Sequence, residues 1–345
     1  MNIFLTSHVW TIPLNKFGVR QHVAALYEEI VKGEDVHVYP KDASSGLLLN
    51  VVRHLPALFS GELNIITQGY PIVAGALVSF VRKDPSLIVH TWKVPGYTDA
   101  RLSARIYDVM LRRAIKKAKA VVVASRPQKR QLKAMGVTCP VFFAPVTVDC
   151  QFWKPSPEGM EEILTKFGLT KAGYVLTVGG SDRDEVYAAH VAKRIGLPYV
   201  RTTYDVRLAE RVKLKLVSEN LESISRVLVY PSYVELRALY AGALLVCLPT
   251  ITKTNPAGLT SLVEAMACGA VVAVPEPIAE GYVEDGINGF VLRGEAKEFA
   301  DRLISKNSDL LLIKQIARRF AEIELNNINV AQQVRKRLLS ERIWS

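Results

Sequence analysis

The feature that most constrains the fold of this chain is an alternation of short apolar runs with longer, helix-like stretches. Because the runs are rich in β-branched and aliphatic residues, they predict a parallel sheet whose strands are joined by crossover helices. The runs of the first half are NIFLT (2–6), DVHVYP (35–40), LNIITQ (63–68), SLIVHTW (86–92) and AVVVAS (120–125).

The pattern stops at a loop-like, proline-containing stretch, FWKPSPEG (152–159), and then starts again. A chain of 345 residues is long enough for two ordinary domains, which run to roughly 100–200 residues each. A second α/β domain is therefore expected, with the boundary near residues 155–170. Its runs are YVLTVGG (174–180), PYVRTTY (198–204), RVLVYP (226–231), LLVCLP (244–249) and AVVAVP (270–275).

Composition favours a globular protein with anionic partners. Hydrophobic residues make up 49% of the chain and charged residues 22%, unlike the composition of disordered segments. The formal net charge of +11 favours nucleotides, nucleic acid or an anionic membrane surface as partners.

The first residues lack a secretory pattern, and the longest apolar stretch, 238–251, is shorter than the roughly 20 residues that cross a bilayer. We therefore expect a cytoplasmic protein. The four cysteines show neither CxxC nor zinc-ligand spacing.

The segment after the run 244–249 has the local chemistry of an anion site. The predicted strand ends at Leu248, a polar loop follows, and a helix is expected to begin near Leu259. Gly258 allows close approach of the backbone to a ligand, and the amides of Leu259 and Thr260 at a helix N-terminus suit a diphosphate. Glu264, one to two turns further on, can present its carboxylate to a ribose diol.

The same segment carries a family resemblance. GLTSLVEAMACGAVVAVPEP (258–277), followed by VEDGINGF (283–290), resembles the donor-binding motif of the retaining glycosyltransferases of family 4. In that family a glutamate of this helix holds the ribose hydroxyls, a role that the resemblance carries over to Glu264. The alternative is an ordinary amphipathic helix that ends in a tight glycine turn.

The resemblance implies a GT-B fold, which consists of two facing Rossmann-like domains. Residues 1–165 would form the acceptor-side domain and residues 166–325 the domain that binds the nucleotide-sugar donor. The last segment, 326–345, would be a helix that crosses back to pack on the first domain.

The chain departs from the family at one position. The first glutamate of the family motif stands eight residues before Glu264, where this chain has Pro256. That glutamate normally contacts the donor sugar. Its replacement by Pro256 therefore removes the usual carboxylate for recognition of the sugar. Thr254, Asn255 and Thr260 are the candidates to replace it.

A second stretch of the later half, VLTVGGSDRDEVYAA (175–189), resembles the first strand and loop of the family's donor domain. There the family places glycines and a basic residue against the diphosphate, which points to Gly179, Gly180 and Arg183. A guanidinium would neutralise charge that builds on the leaving diphosphate. The alternative is a loop arginine paired with a neighbouring aspartate.

Three further residues are candidates through the same resemblance. Tyr230 lies in the loop that borders the nucleobase in the family, although a tyrosine beside a sheet more often packs. His90 closes a predicted strand, where the family often has a histidine beside the donor sugar, and a packed structural histidine is the alternative. Gly18 stands in the glycine loop of the first domain and would line the cleft.

The implied reaction moves a sugar from a nucleoside diphosphate sugar to a hydroxyl, with retention of configuration. No cofactor and no metal are expected, since the family needs none and the sequence has no DxD-like carboxylate pair. The acceptor stays open between lipid-linked, glycan and small-molecule hydroxyls, and nucleic acid is not expected as a partner. The rival is a noncatalytic nucleotide- or nucleic-acid-binding protein on the same scaffold. An oxidoreductase is set aside because no GxGxxG follows a strand.

A basic stretch also bears on localisation. Residues 101–119 interleave apolar side chains with positive charge, a pattern that suits either an anionic membrane surface or an ordinary solvated helix face. The protein could thus lie peripherally at the inner face of the membrane. The basic residues are Arg101, Arg105, Arg112, Arg113, Lys116, Lys117 and Lys119.

Overall fold

The structure is a computed structural model, and its contacts divide the chain into two compact units. The first contains Met1–Thr147 and Asn327–Ser345, and the second contains Val148–Lys253 and Ala257–Asn326. The described residues are 2–6, 26–39, 51–52, 55–56, 58–59, 62–67, 70–84, 86–96, 102–156, 158–180, 183–251 and 257–344.

The first unit is built on a six-stranded parallel sheet with the strand order β2-β1-β3-β4-β5-β6. The strands β3 and β4 are buried throughout, which agrees with the continuous apolar runs typical of parallel sheets. The strands are β1 (Asn2–Thr6), β2 (Asp35–Tyr39), β3 (Leu63–Ile66), β4 (Leu87–Thr91), β5 (Ala118–Val123) and β6 (Val141–Phe143).

The helices of the first unit include α1 (Tyr70–Val81), α2 (Leu102–Lys116), α3 (Arg126–Ala134) and, at the end of the chain, α12 (Asn327–Ser340). Helix α12 is tied to the first unit by Arg335, which donates to the carboxylate of Glu34 at 2.8 Å and to the carbonyl oxygen of Lys32 at 3.0 Å. The buried indole of Trp344 lies beneath the same guanidinium, 5.5 Å from it.

The second unit repeats the architecture with the strand order β12-β11-β10-β7-β8-β9, again all parallel. Its strands are β7 (Val175–Val178), β8 (Tyr199–Thr203), β9 (Ser225–Val229), β10 (Leu245–Cys247), β11 (Val272–Pro275) and β12 (Phe290–Leu292). Its helices are α4 (Met160–Lys166), α5 (Glu185–Ile195), α6 (Val206–Ser218), α7 (Tyr233–Gly242), α8 (Leu259–Ala267), α9 (Glu276–Ala279), α10 (Ala296–Ser305) and α11 (Leu310–Glu324).

Local sequence fixes where several of these helices begin. The side chains of Asp184 and Asp205 accept hydrogen bonds from the third residue beyond them and so cap α5 and α6. Ser232 and Glu235 form a reciprocal capping box at the start of α7. Each cap follows the carboxyl end of a strand, so the chain turns from strand to helix within a few residues.

The strand order of the second unit defines a switch point between β7 and β10. From β7 the chain builds outward through β8 and β9, and it then returns to the other side of β7 to add β10. In open parallel sheets the loops leaving such a pair of strands run in opposite directions and leave a crevice that suits a ligand. The segments after Val178 and after Cys247 border this crevice.

The segment 148–165 belongs to the second unit, whereas the sequence interpretation extended the first domain to residue 165. The physical reason is Arg318 of α11, whose guanidinium donates to the carbonyl oxygens of Trp153 at 2.7 Å and Cys150 at 3.0 Å. It also donates to the carbonyl of Ala267 at the end of α8. The Arg318 side chain therefore links this connecting segment to the end of helix α8 by hydrogen bonds.

No helix among the described residues is long and apolar enough to span a membrane. The four cysteines are free thiols, and three of them are buried.

Substitution of Arg318 by methionine should destabilise the second unit, because three backbone carbonyls lose their donor. We expect the free energy of unfolding to fall by about 2 kcal/mol, measured by urea denaturation of the full chain. The exposed neighbour Arg319 is the matched control. Arg319→Met should stay within about 0.5 kcal/mol of the unchanged protein. Equal losses for both variants would contradict this account.

Candidate functional site

The candidate site lies at the switch point of the second sheet, where the segments after β7 and β10 cross. Arg183 and Thr250 form an isolated antiparallel bridge, and the amide of Asp184 donates to the carbonyl oxygen of Pro249 at 2.7 Å. These backbone contacts join the two segments beyond the carboxyl ends of their strands. They also fix the backbone from which the Arg183 side chain extends.

Arg183 is buried, with 5% of its surface exposed, and its guanidinium lies against two glycines. A Cβ atom on Gly179 would stand 2.9 Å from Arg183 Nη2, and one on Gly258 would stand 3.1 Å from the same atom. Both glycines have left-handed φ angles, +121° and +99°. The position of the guanidinium thus depends on the absence of a side chain at both positions.

Helix α8 begins directly beside this guanidinium. Gly258 is its N-cap residue and offers no side-chain cap, while the side chain of Leu259 is fully buried and Thr260 is half-buried. The first amides of a helix have no intrahelical acceptor and lie at the positive end of the helix dipole. Arg183 and the N-terminus of α8 therefore combine into a compact positive region that suits a phosphate group.

Sequence reasoning missed Arg201, which supports the loop from the interior. Its fully buried guanidinium donates to the carbonyl oxygens of Gly179 at 2.9 Å and Gly180 at 2.7 Å, and it lies 3.5 Å from the carboxylate of Glu185. An arginine inside the apolar run PYVRTTY was the signal that could have revealed it. A buried guanidinium requires several acceptors, and a strand end beside a glycine loop can supply them.

Glu264 lies in the interior of α8 with 4% of its surface exposed and accepts a hydrogen bond from the Tyr240 hydroxyl at 3.1 Å. Burial and the nearby Glu264 carboxylate raise the pKa of Tyr240. Burial also raises the pKa values of Tyr204 and Tyr233, with the negative charge of Glu264 contributing to both. The Trp153 ring packs against two of these tyrosines, with its centroid 5.8 Å from that of the Tyr240 ring and 6.1 Å from that of the Tyr233 ring. The Glu264 carboxylate thus accepts a hydrogen bond from one phenol, and all three phenols stay protonated at neutral pH.

Tyr230 stands at the end of β9 in a backbone conformation unusual for a side chain of its size. Its φ angle is +55°, and its amide donates to the carbonyl oxygen of Thr203 at 3.0 Å. The ring is 60% exposed and lies 6.3 Å from the ring of Tyr204, which in turn stacks on Tyr233 at 6.2 Å. Non-glycine residues with positive φ are uncommon and concentrate at functional sites.

His90 lies in β4 of the first unit and is almost fully buried, with 3% of its surface exposed. Its Nε2 accepts a hydrogen bond from the Trp92 indole at 3.1 Å, and its ring packs 5.4 Å from the ring of Tyr27. Burial lowers the pKa of His90 to about 3, so the imidazole is neutral at physiological pH. These contacts favour the packing alternative for this residue.

The structure brings Gly179, Arg183 and Gly258 together directly and places Leu259, Thr260 and Glu264 on the helix that begins beside them. Gly18, Thr254, Asn255 and Pro256 lie outside the described residues. Within the described part of the chain, no cluster of three or more His, Cys, Asp or Glu side chains could hold a metal ion.

Solved structures with the same fold include a glycosyltransferase and a sucrose-phosphate synthase. Anabaena Alr3699/HepE in complex with UDP-glucose has a TM-score of 0.78 at 18% identity, and the match covers 99% of this chain and 100% of that chain. The sucrose-phosphate synthase tll1590 of Thermosynechococcus elongatus has a TM-score of 0.75 at 15% identity, with 98% of both chains covered. A glycosyltransferase from Rickettsia africae ESF-5 matches with a TM-score of 0.67 at 15% identity, and 98% of each chain is covered.

These likenesses define the fold as GT-B, which confirms the fold class expected from the sequence. Residues 206–322 match the family model described as "Glycosyl transferases group 1", so the second unit carries a domain of that family. The matched segment contains helix α8. No curated protein matches the chain.

Proposed function

We propose that the protein is a glycosyltransferase that moves a hexosyl or pentosyl group from a nucleoside diphosphate sugar to a hydroxyl. Transfer proceeds with retention of configuration and without a metal ion, in glycan biosynthesis on the cytoplasmic side. The observation that carries the proposal is the placement of Arg183 between Gly179 and Gly258, beside the N-terminus of a helix in a glycosyl transferases group 1 domain.

Each part of the candidate site has a role in this proposal. Arg183 and the first amides of α8, at Leu259 and Thr260, bind the donor diphosphate, and Glu264 binds the ribose hydroxyls. Tyr230 borders the nucleobase, for which an exposed aromatic ring is a suitable stacking surface. UDP is the first nucleotide to test, because a solved structure of the same fold contains UDP-glucose.

The chemistry follows from the charge of this region. As the bond between the sugar and the diphosphate breaks, negative charge builds on the leaving oxygens, and a preorganised guanidinium and helix N-terminus stabilise it. The leaving diphosphate can accept the proton of the attacking hydroxyl, so no separate base is needed. His90, neutral and buried, is left out of this catalytic set.

Calorimetric titration with UDP, GDP and ADP should give binding of one nucleotide, weakened in both Arg183→Ala and Glu264→Gln. We expect Arg183→Ala to weaken binding by about tenfold or more, since a charge-assisted hydrogen bond contributes about 1.5–3 kcal/mol. Glu264→Gln should weaken the binding of a ribonucleoside diphosphate more than the binding of its 2′-deoxy form, because the carboxylate is proposed to contact the ribose hydroxyls.

The matched control is Arg194→Ala, which removes the same charge from an exposed arginine paired with Asp301. It should bind the nucleotide like the unchanged protein. If no nucleotide binds, or if Arg194→Ala weakens binding as much as Arg183→Ala, the assignment of the donor site is wrong.

Turnover separates the proposed enzyme from a noncatalytic nucleotide-binding protein. Proton NMR of the protein with the preferred donor and a panel of lipid-linked, glycan and small-molecule hydroxyl acceptors should show a product with the anomeric configuration of the donor. The rate should be the same with and without EDTA. An inverted product would contradict retention, an EDTA-sensitive rate would contradict metal independence, and binding without any transfer would support the noncatalytic alternative.

We further propose that the first unit contacts anionic membrane through helix α2. Its outward face exposes Leu102, Ile106 and Val109, which lie four and three residues apart and so share one side of the helix. Arg113 continues that side and lies over the exposed ring of Phe80, 4.2 Å away. Apolar side chains flanked by positive charge suit the interface of an anionic bilayer.

Sedimentation with vesicles should show binding to phosphatidylglycerol and weak binding to phosphatidylcholine. Ile106→Asp should lower the bound fraction several-fold, because it places a negative charge on the apolar face and a single charge near the surface changes binding by about 1 kcal/mol. Leu311→Asp, on an exposed leucine of the second unit, is the control and should bind normally. Equal binding of the unchanged protein to both lipids would contradict the membrane contact. So would binding of Ile106→Asp that equals that of the unchanged protein.

A further inference from the structure

Arg201 is a fully buried cation that the proposed reaction does not use directly. It lies in the middle of β8, where it pairs with Thr177 of β7 on one side and with Val227 of β9 on the other. Its side chain is 0% exposed, while the nearest carboxylate, that of Glu185, is 3.5 Å away. A single carboxylate at this distance compensates poorly for the loss of water around a guanidinium.

The remaining partners of Arg201 are backbone carbonyls, two of them in the loop that contains Gly179 and Gly180. Nη1 donates to the carbonyl oxygen of Gly179 at 2.9 Å and to that of Thr202, and Nη2 donates to the carbonyl oxygen of Gly180 at 2.7 Å. Two successive carbonyls of the loop are therefore turned towards the interior of the unit. This conformation of the loop and the burial of Arg201 depend on each other.

The hydrogen bond from Arg201 to the Gly179 carbonyl also fixes the direction of the next backbone N–H, that of Gly180. In a trans peptide the carbonyl of one residue and the N–H of the next point in opposite directions. Since the carbonyl of Gly179 points at Arg201, the N–H of Gly180 points away from it. A Cβ atom on Gly180 would meet nothing within 4 Å, so this residue borders open space.

We infer that Arg201 is a positioning residue that orients the Gly179–Gly180 peptide so that its N–H binds the diphosphate of the nucleotide donor. The inference rests on the proposed donor site. The same guanidinium adds positive charge behind the loop, and burial limits the screening of that charge by solvent. Arg183 and Arg201 thus act on the loop from two sides, the first by facing Gly179 and the second by holding its carbonyl.

The test compares Arg201→Lys and Arg201→Met with Arg226→Met by calorimetric titration. Lysine keeps the charge but cannot donate to two carbonyls in a fixed fork. Arg226 is a matched control because it lies on the neighbouring strand and donates to two other loop carbonyls, those of Phe167 and Gly168. Each protein is titrated with UDP, GDP and ADP and with the corresponding nucleosides, and its melting temperature is measured in parallel.

For the nucleotide that the unchanged protein binds, we expect Arg201→Lys to weaken diphosphate binding about tenfold or more while nucleoside binding changes little. Arg226→Met should bind both ligands normally, even if its melting temperature falls as much as that of the Arg201 variants. Where Arg201→Met does not fold, Arg201→Lys decides the question.

Three results would overturn the inference: unchanged diphosphate binding by Arg201→Lys, equal loss of nucleoside and diphosphate binding, or the same loss in Arg226→Met. Failure of the unchanged protein to bind any of the three diphosphates would instead overturn the proposed function. The two failures are therefore distinguishable.

Discussion

The candidate site depends on the crossing of two chain segments at the switch point of the second sheet. Because all strands of this sheet are parallel, β7 and β10 end at the same edge although they are distant in sequence. The bridge between Arg183 and Thr250, together with the 2.7 Å hydrogen bond from Asp184 to Pro249, locks the segments after these strands to each other. Without this crossing, a residue that follows β7 could not place its side chain against a residue that precedes α8.

Gly179 is the residue through which two buried cations act on the same loop. Its carbonyl accepts a hydrogen bond from Arg201, and its missing side chain leaves room for the guanidinium of Arg183. Burial of a charged group costs several kcal/mol unless hydrogen bonds or opposite charges compensate. The carbonyls of the loop offset part of that cost for Arg201.

Much of the fold could be predicted from the sequence, because strands of parallel sheets are buried on both faces and appear as uninterrupted apolar runs. LIVHT and VLTV are examples of runs that the structure shows as buried strands. The boundary between Thr147 and Val148 could not be predicted in the same way, and the sequence interpretation placed it at residue 165. It depends on Arg318, which lies far along the chain and holds the carbonyls of Cys150 and Trp153.

For the candidate site, the sequence could indicate glycines and charged residues but not their surroundings. Gly258 was expected to allow close approach of the backbone to a ligand, and Gly179 was identified through the family resemblance. The structure adds that both glycines make room for one guanidinium. The sequence could not distinguish a packed His90 from an exposed one, since that depends on the indole of Trp92 and the ring of Tyr27. Arg201 was missed because its acceptors are backbone carbonyls. Every residue type has one, so the sequence does not indicate which of them accept from an arginine.

The two ends of the proposed donor site are held by one rigid element. Gly258 precedes the first turn of α8 and Glu264 lies in its second, so a rise of about 1.5 Å per residue places their Cα atoms about 9 Å apart along the helix axis. The hydroxyl of Tyr240, whose pKa is raised by burial, donates to Glu264. Under the proposed function, the diphosphate and the ribose are thus recognised by opposite charges at a fixed spacing. Motion of the surrounding loops would leave that spacing unchanged, because both groups belong to the same helix.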